Sequence, residues 1–202
     1  MTRHNTHNTR SVRLNRFESL ESRLMLSAPG TLDNTFDGDG KATPTAVFSG
    51  SFNARDMALQ TDGKTVVAGT YTDSGGNSYG AIVRLLFDGQ RDPAFNGGVP
   101  VLPFVPSGSD TQIDAMAIAP DGKIVVVGQS TVGNILFPEP EMLVMRFNSD
   151  GTIDNSFSDD GRVLFDLGDG FSTTAGFDVA IQPDGMIVVV GTAYKIPTGT
   201  SW

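Results

Sequence analysis

Ile118-Ala-Pro-Asp-Gly-Lys-Ile-Val-Val-Val-Gly128 decides the fold. Pro120-Asp121-Gly122 is a turn signal, because proline fixes φ and glycine accepts the positive φ that hairpin turns demand. Ile124-Val125-Val126-Val127 is β-branched and apolar without a break. Such a run reads as a strand buried on both faces, closed here by Gly128. The unit returns as Leu59-Gln-Thr-Asp-Gly-Lys-Thr-Val-Val-Ala-Gly69 and as Ile181-Gln-Pro-Asp-Gly-Met-Ile-Val-Val-Val-Gly191. Asp62, Asp121 and Asp184 stand 59 and 63 residues apart, so the chain is built of repeats.

Two further elements recur between these units. Gly30-Thr-Leu-Asp-Asn-Thr-Phe-Asp-Gly-Asp-Gly40 returns as residues 89–98 and again as 151–161. Ala81-Ile-Val-Arg-Leu-Leu-Phe-Asp-Gly89 is matched by Met142-Leu-Val-Met-Arg-Phe-Asn-Ser-Asp-Gly151. The pattern predicts strands over Lys41–Phe48, Asn53–Leu59, Thr65–Tyr71 and Ala81–Phe87 in the first unit. The second gives Val99–Phe104, Ile113–Ala119, Ile124–Ser130 and Met142–Phe147. The third gives Arg162–Leu167, Phe177–Gln182 and Ile187–Ala193. Ala58, Ala117 and Ala180 recur in one strand of each unit and mark a face where another sheet packs closely. Four short antiparallel strands per unit of about 60 residues is the pattern of a propeller blade, and one such unit cannot hide both its faces alone. The fold class is therefore all-β, in tandem four-stranded antiparallel repeats. Residues 29–202 hold about 2.7 of them (29–88, 89–150 and 151–202), and they are expected to form a partial, open arc.

Composition narrows the function classes. The 202 residues include 24 Gly, 11 Pro and no Cys, so there is no disulfide framework and no thiolate metal site. Both histidines, His4 and His7, lie before the repeats. That removes Ser–His–Asp and Cys–His catalysis and ordinary zinc sites from the body. Residues 1–28 carry +3 and the remainder −12. An acidic body repels phosphate backbones, so nucleic acid is excluded as a partner of the repeats. No apolar run approaches the length of a membrane span.

Residues 1–28 read as a basic leader without a fold of its own, ending in a short helical turn around Phe17, Leu20 and Leu24. As a secretory signal the run is poor, since Glu18 and Glu21 interrupt a short apolar stretch. Arg16-Phe-Glu-Ser-Leu-Glu-Ser-Arg-Leu-Met-Leu-Ser-Ala28 resembles the N-terminal motif of extracellular and surface proteins from planctomycete bacteria. That family pattern often has Pro where Ser22 stands. The resemblance implies export, with removal of the leader after Ala28.

The repeat itself resembles the delta-60 repeat family, a β-propeller family of bacterial surface proteins. Leu32, Asp33, Phe36 and Gly40 carry the first part of its pattern. Gln182 to Gly191 carry the second, with Met186 in place of Lys. Arg146-Phe-Asn148 and Asp150-Gly151 carry the third. The resemblance spans about residues 29–202 and implies architecture and location, not a reaction.

Three sets of residues are candidates for chemistry. Asn148-Ser-Asp-Gly-Thr-Ile-Asp154 has the spacing of a calcium loop, with Asp150, Gly151 and Asp154 in place. Its first ligand position is Arg146, which cannot coordinate, and a two-residue Asp-Gly hairpin turn explains the same residues. Asp37-Gly-Asp-Gly40 and Asp159-Asp-Gly161 read as turns too. Glu139 and Glu141 are the only glutamates of the body and stand in a Pro-flanked insert, read as a solvated loop. Glycoside hydrolysis would need two facing carboxyls, one with a raised pKa. Asp33, Asp92 and Asp154 each precede a phenylalanine (Phe36, Phe95, Phe157) by three residues. They are expected to cap turns while the rings plug the space between blades. Arg84 and Arg146 sit inside apolar strands. A buried Arg needs a partner, and a repeated turn Asp is the obvious one; the alternative is an edge strand with Arg in water.

These observations predict a noncatalytic extracellular or cell-surface repeat module, with no catalytic residue, metal or cofactor. Its partner would be a protein or surface glycan, or a second copy through open blade edges. The alternatives are a carbohydrate-active enzyme using loop carboxylates and a truncated fragment without independent function.

Overall fold

The computed structural model describes residues 31–42, 50–98, 101, 110–132, 139–165 and 171–195. The leader, most of the strand expected over Lys41–Phe48, and Val99–Phe104 apart from Val101 lie outside the described residues. The chain divides into two compact units, 1–33 and 34–202. Of the first only 31–33 are described, without regular structure and with Leu32 exposed.

Among the described residues the second unit is all-β. Its strands are β1 (Ser51–Leu59), β2 (Thr65–Thr72), β3 (Ser78–Leu85), β4 (Thr111–Ile118), β5 (Ile124–Val132), β6 (Glu139–Phe147), β7 (Arg162–Phe165), β8 (Phe171–Ile181) and β9 (Ile187–Lys195). They form three open antiparallel sheets in the orders β1-β2-β3, β4-β5-β6-β7 and β8-β9. One strand is placed differently from the sequence reading. Arg162–Phe165, expected to open the third unit, pairs with β6 as the last strand of the second sheet. Val101 likewise bridges back to Ile82 of β3. The second sheet thus takes its final strand from the sequence repeat that follows it, and the first is bridged by one residue of the next repeat.

The Asp-Gly turns superpose by role, joining β1 to β2, β4 to β5 and β8 to β9. Each is a three-residue loop. Gln60 donates its amide to the Lys64 carbonyl, and Gly63 to that of Gln60; residues 119–123 and 182–186 repeat this pattern. The glycine takes φ near 84° in all three, at the position where such a loop needs a left-handed residue. The aspartate side chain accepts the amide two residues on, in Lys64, Lys123 and Met186.

Gly69, Gly128 and Gly191 do not close their strands, which run on past them. Each lies beside a β-bulge in the facing strand, around Arg55, Asp114 and Phe177. A Cβ there would overlap the carbonyl oxygen of Asn53, Gln112 or Ala175. Glycine is required because two backbones approach one another, not because the chain turns.

The sheets stack in sequence order around two apolar layers. Val66, Ala68 and Ile82 of the first sheet meet Ile113, Met116, Ile124, Val126, Leu143 and Met145 of the second. Ala115, Val125, Val127 and Val144 on the second sheet's other face meet Val179 of the third, with Ile181, Ile187 and Val189 packed alongside. The uninterrupted run of β5 follows, since alternate residues feed different layers. Ala58 and Ala117 face the next sheet, as expected, whereas Ala180 points away from the stack and is exposed. The outer faces are apolar at both ends: Met57 and Leu59 on the first sheet, Val188 and Val190 on the third.

Candidate functional site

The charged residues of the strands converge on a cassette that occurs twice. In the first copy, β3 carries Arg84, the hairpin turn carries Lys64, and the segment after β3 supplies Asp92 and Phe95. Asp92 Oδ2 accepts from Arg84 Nε at 2.8 Å and stands 3.2 Å from Lys64 Nζ. Its other oxygen accepts the Ala94 amide at 2.8 Å, and the guanidinium lies 4.6 Å from the centre of the Phe95 ring. The second copy reads Lys123, Arg146, Asp154 and Phe157. Arg146 Nε and Lys123 Nζ meet Asp154 Oδ2 at 2.6 and 2.9 Å, and the guanidinium stacks on Phe157 at 4.7 Å. Asp154 Oδ1 caps the Ser156 amide and hydroxyl. The turn-capping role expected for these aspartates and the Arg–Asp pairing are both present. The alternative, arginine in water on an edge strand, is not: Arg84 is buried and Arg146 half-buried.

Electrostatics follow the contacts. Burial pushes the Asp92 carboxyl up, but the Ala94 amide, Lys64 and Arg84 together outweigh it and hold it below the ordinary carboxylate range. The Ser156 hydroxyl and then Lys123 hold Asp154 well below that range, against burial and with Arg146 adding to the effect.

The cassette also ties adjacent sheets. Arg84 Nη1 donates to the Ser149 carbonyl, in the turn after β6 of the second sheet, at 2.6 Å. Phe95 is fully buried against Gly151, and the Asn96 amide donates to the Asp150 carbonyl at 2.9 Å. Phe36 and the Asp37 amide meet Gly89 and the Asp88 carbonyl in the same way. Phe95 therefore plugs between the first and second sheets, as expected, whereas Phe36 and Phe157 are only half-buried. Two buried threonines add links: Thr111 Oγ1 accepts the Gly80 amide and Thr174 Oγ1 the Met142 amide. Asp33 belongs to the other compact unit.

Two clefts open between neighbouring Asp-Gly turns. The larger, about 660 Å³, is bounded by Thr61, Asp62, Pro120, Asp121 and Asp150 over a floor of Leu59, Ile118 and Arg84. The smaller, about 270 Å³, repeats it one sheet further on, with Asp121, Lys123, Arg146 and Asp184. The basic groups inside are already committed to Asp92 and Asp154. The rim carboxyls of Asp62 and Asp150 are held below their ordinary value by Lys64 and Thr152, which makes them poor proton donors.

The remaining candidates are separated by the structure. Asp150 accepts from the Thr152 amide and hydroxyl, while both oxygens of Asp154 are taken by Arg146, Lys123 and Ser156. The pair does not converge, and a calcium ion would have to displace two cations from Asp154. Glu139 and Glu141 are not in a loop. They stand two positions apart in β6, in register with Val132 and Ser130, and Glu141 is half-buried. Sequence reasoning passed over Asp114, whose carboxyl is pushed up by burial against the pull of Arg55. Its signal is a bulge position at which the repeats carry Arg55, Asp114 and Phe177.

A family model described as "Domain of unknown function (DUF5122) beta-propeller" matches residues 60–95 and 119–157. Each matched piece begins at a hairpin turn and ends on the plugging phenylalanine, so each contains one whole cassette. The chain is a β-propeller repeat protein. Its sheets are blades, and the cassette is the part of the blade that the family model covers twice. A comparison with the curated proteins finds no match.

Proposed function

We propose that the chain is a noncatalytic interaction module of propeller blades, working outside the cell or at its surface and binding a protein or a surface glycan. One observation carries the reading: the charged groups inside the blades recur at fixed positions and are consumed in pairing with one another within each blade. Lys64, Arg84 and Asp92 do in the first copy what Lys123, Arg146 and Asp154 do in the second. A catalytic pair would break the repeat. What a partner meets instead is the turn-lined clefts and the apolar outer faces. The address is supported by the resemblance of Arg16–Ala28 to an export motif. Mass spectrometry of the medium and cell fractions of the producing organism tests it. The expected result is a mature N-terminus after Ala28 in the medium or on the surface. Chain found only inside the cell, with its leader intact, would contradict it.

A further inference from the structure

Within this chain, a strand followed by an Asp-Gly turn is received in the same way twice. The turn after β3 lies on Phe36, with the Asp37 amide on the Asp88 carbonyl at 2.6 Å. The turn after β6 lies on Phe95, with the Asn96 amide on the Asp150 carbonyl and Arg84 Nη1 on the Ser149 carbonyl. Asp37 and Asn96 both take left-handed φ, 49° and 48°, at this contact.

A third receptor is formed by Arg146, Phe157 and Ser158. Ser158 has φ 52°, and Arg146 stacks on Phe157 as Arg84 does on Phe95. Among the described residues neither the Arg146 guanidinium nor the Ser158 amide reaches a turn carbonyl. The Arg146 side chain is 23% exposed against 8% for Arg84. Beside this receptor runs β9. Its counterparts β2 and β5 have a strand on each side, whereas β9 pairs with β8 alone among the described residues. Val188 and Val190 of β9 are exposed, while Val66 and Ala68 at the same positions of β2 are fully buried.

We propose that the free edge of β9, with Arg146, Phe157 and Ser158, is a docking site for a strand–turn segment of another polypeptide, of the β3 and β6 type. Such a segment adds its backbone to the edge and so gains ladder hydrogen bonds, while its side chains set specificity. The register is fixed by the repeats. Arg84 stands opposite Val66 and Arg146 opposite Val125, so the guest arginine stands opposite Val188. The guest turn must end in glycine, because Gly151 takes φ 89° and a Cβ there would stand 2.9 Å from the Phe95 ring. The guest is therefore an uninterrupted apolar strand, then Arg, one apolar residue, and a turn ending in Asp-Gly, as in Asn148–Gly151. The inference rests on blade geometry alone and stands apart from the export reading.

The test uses the full chain and a fluorescent synthetic peptide with the sequence of residues 142–154, followed by anisotropy. Saturable one-to-one binding is expected. Alanine in place of the peptide glycine should weaken it at least tenfold, and this variant leaves the protein untouched. Arg146→Lys in the protein keeps the pair with Asp154 but loses the guanidinium fork, and should weaken binding at least threefold with the melt retained. Amide exchange should slow at residues 187–193. Absence of saturable binding, indifference to the glycine substitution, or slowed exchange elsewhere would overturn the proposal.

Discussion

Asp92 and Asp154 each hold an arginine, a lysine and a turn at once, so the largest effects of single substitutions are expected there. Asp92→Asn leaves the buried Arg84 without its counter-charge and should cost about 3 kcal/mol in urea unfolding. Arg84→Lys keeps a charge but loses the Ser149 carbonyl and the flat stack on Phe95, and should cost about 1–2 kcal/mol. Both carboxyls are held below their ordinary 3.8 in the folded chain. As pH falls past that value, the unfolded chain takes up protons that the folded chain refuses. Stability is therefore full above about pH 5 and lost progressively below it. Urea titrations between about pH 6 and pH 3 should show that decline, with a shallower slope for Asp92→Asn, which lacks one of the two groups. Glycine separates two other causes. Gly128→Ala drives a Cβ into the Gln112 carbonyl and should cost about 3 kcal/mol or more, because backbone cannot give way as a flexible side chain would. Gly63→Ala meets nothing within 4 Å and should cost only the left-handed backbone term, about 1–2 kcal/mol.

Strands show where the sequence could be read and where it could not. The three hairpins were legible because Pro-Asp-Gly and Asp-Gly are local signals and β-branched runs flank them. The Arg–Asp pairing was legible because both members recur at one spacing. The role of Gly128 was not, since a bulge and its glycine lie on different strands and only pairing shows their contact. The cut between blades was hidden for a related reason. A period states how far apart equal residues are but not where a sheet begins, so it places β7 with the following unit although β7 pairs backward with β6. Glu139 and Glu141 read as loop because of their prolines, yet β6 extends over them beside the long β5. The link from Arg84 to a backbone carbonyl 65 residues away left no mark in residue types. The third blade offers its own check. Met186 stands where Lys64 and Lys123 stand, and it is exposed. Met186→Lys should change stability by less than about 0.5 kcal/mol, as a surface substitution does, whereas Lys123→Met removes a cation from Asp154 and should cost about 1 kcal/mol or more.

Three stacked blades leave two outer faces of matching kind. Met57 and Leu59 occupy the face that Met116 and Val179 bury in the next blades, and Val188 and Val190 occupy the face that Val125 and Val127 bury. A head-to-tail contact between copies would repeat the packing already present inside the chain. Metal plays no part in this account: a chelator should leave the melting temperature within about 2 °C, since a site occupied at 100-fold excess over its Kd would add about 2.7 kcal/mol. The central claim is that the blades are an interaction module, open at their outer faces. Size-exclusion chromatography with light scattering tests it most directly, comparing the chain with a Val188→Lys, Val190→Lys variant. The expected result is a concentration-dependent mass above the 21.4 kDa of one chain, falling to the monomer in the variant with no loss of melting temperature. A wild-type chain that stays monomeric and soluble at every concentration, with one cooperative melt, would contradict it.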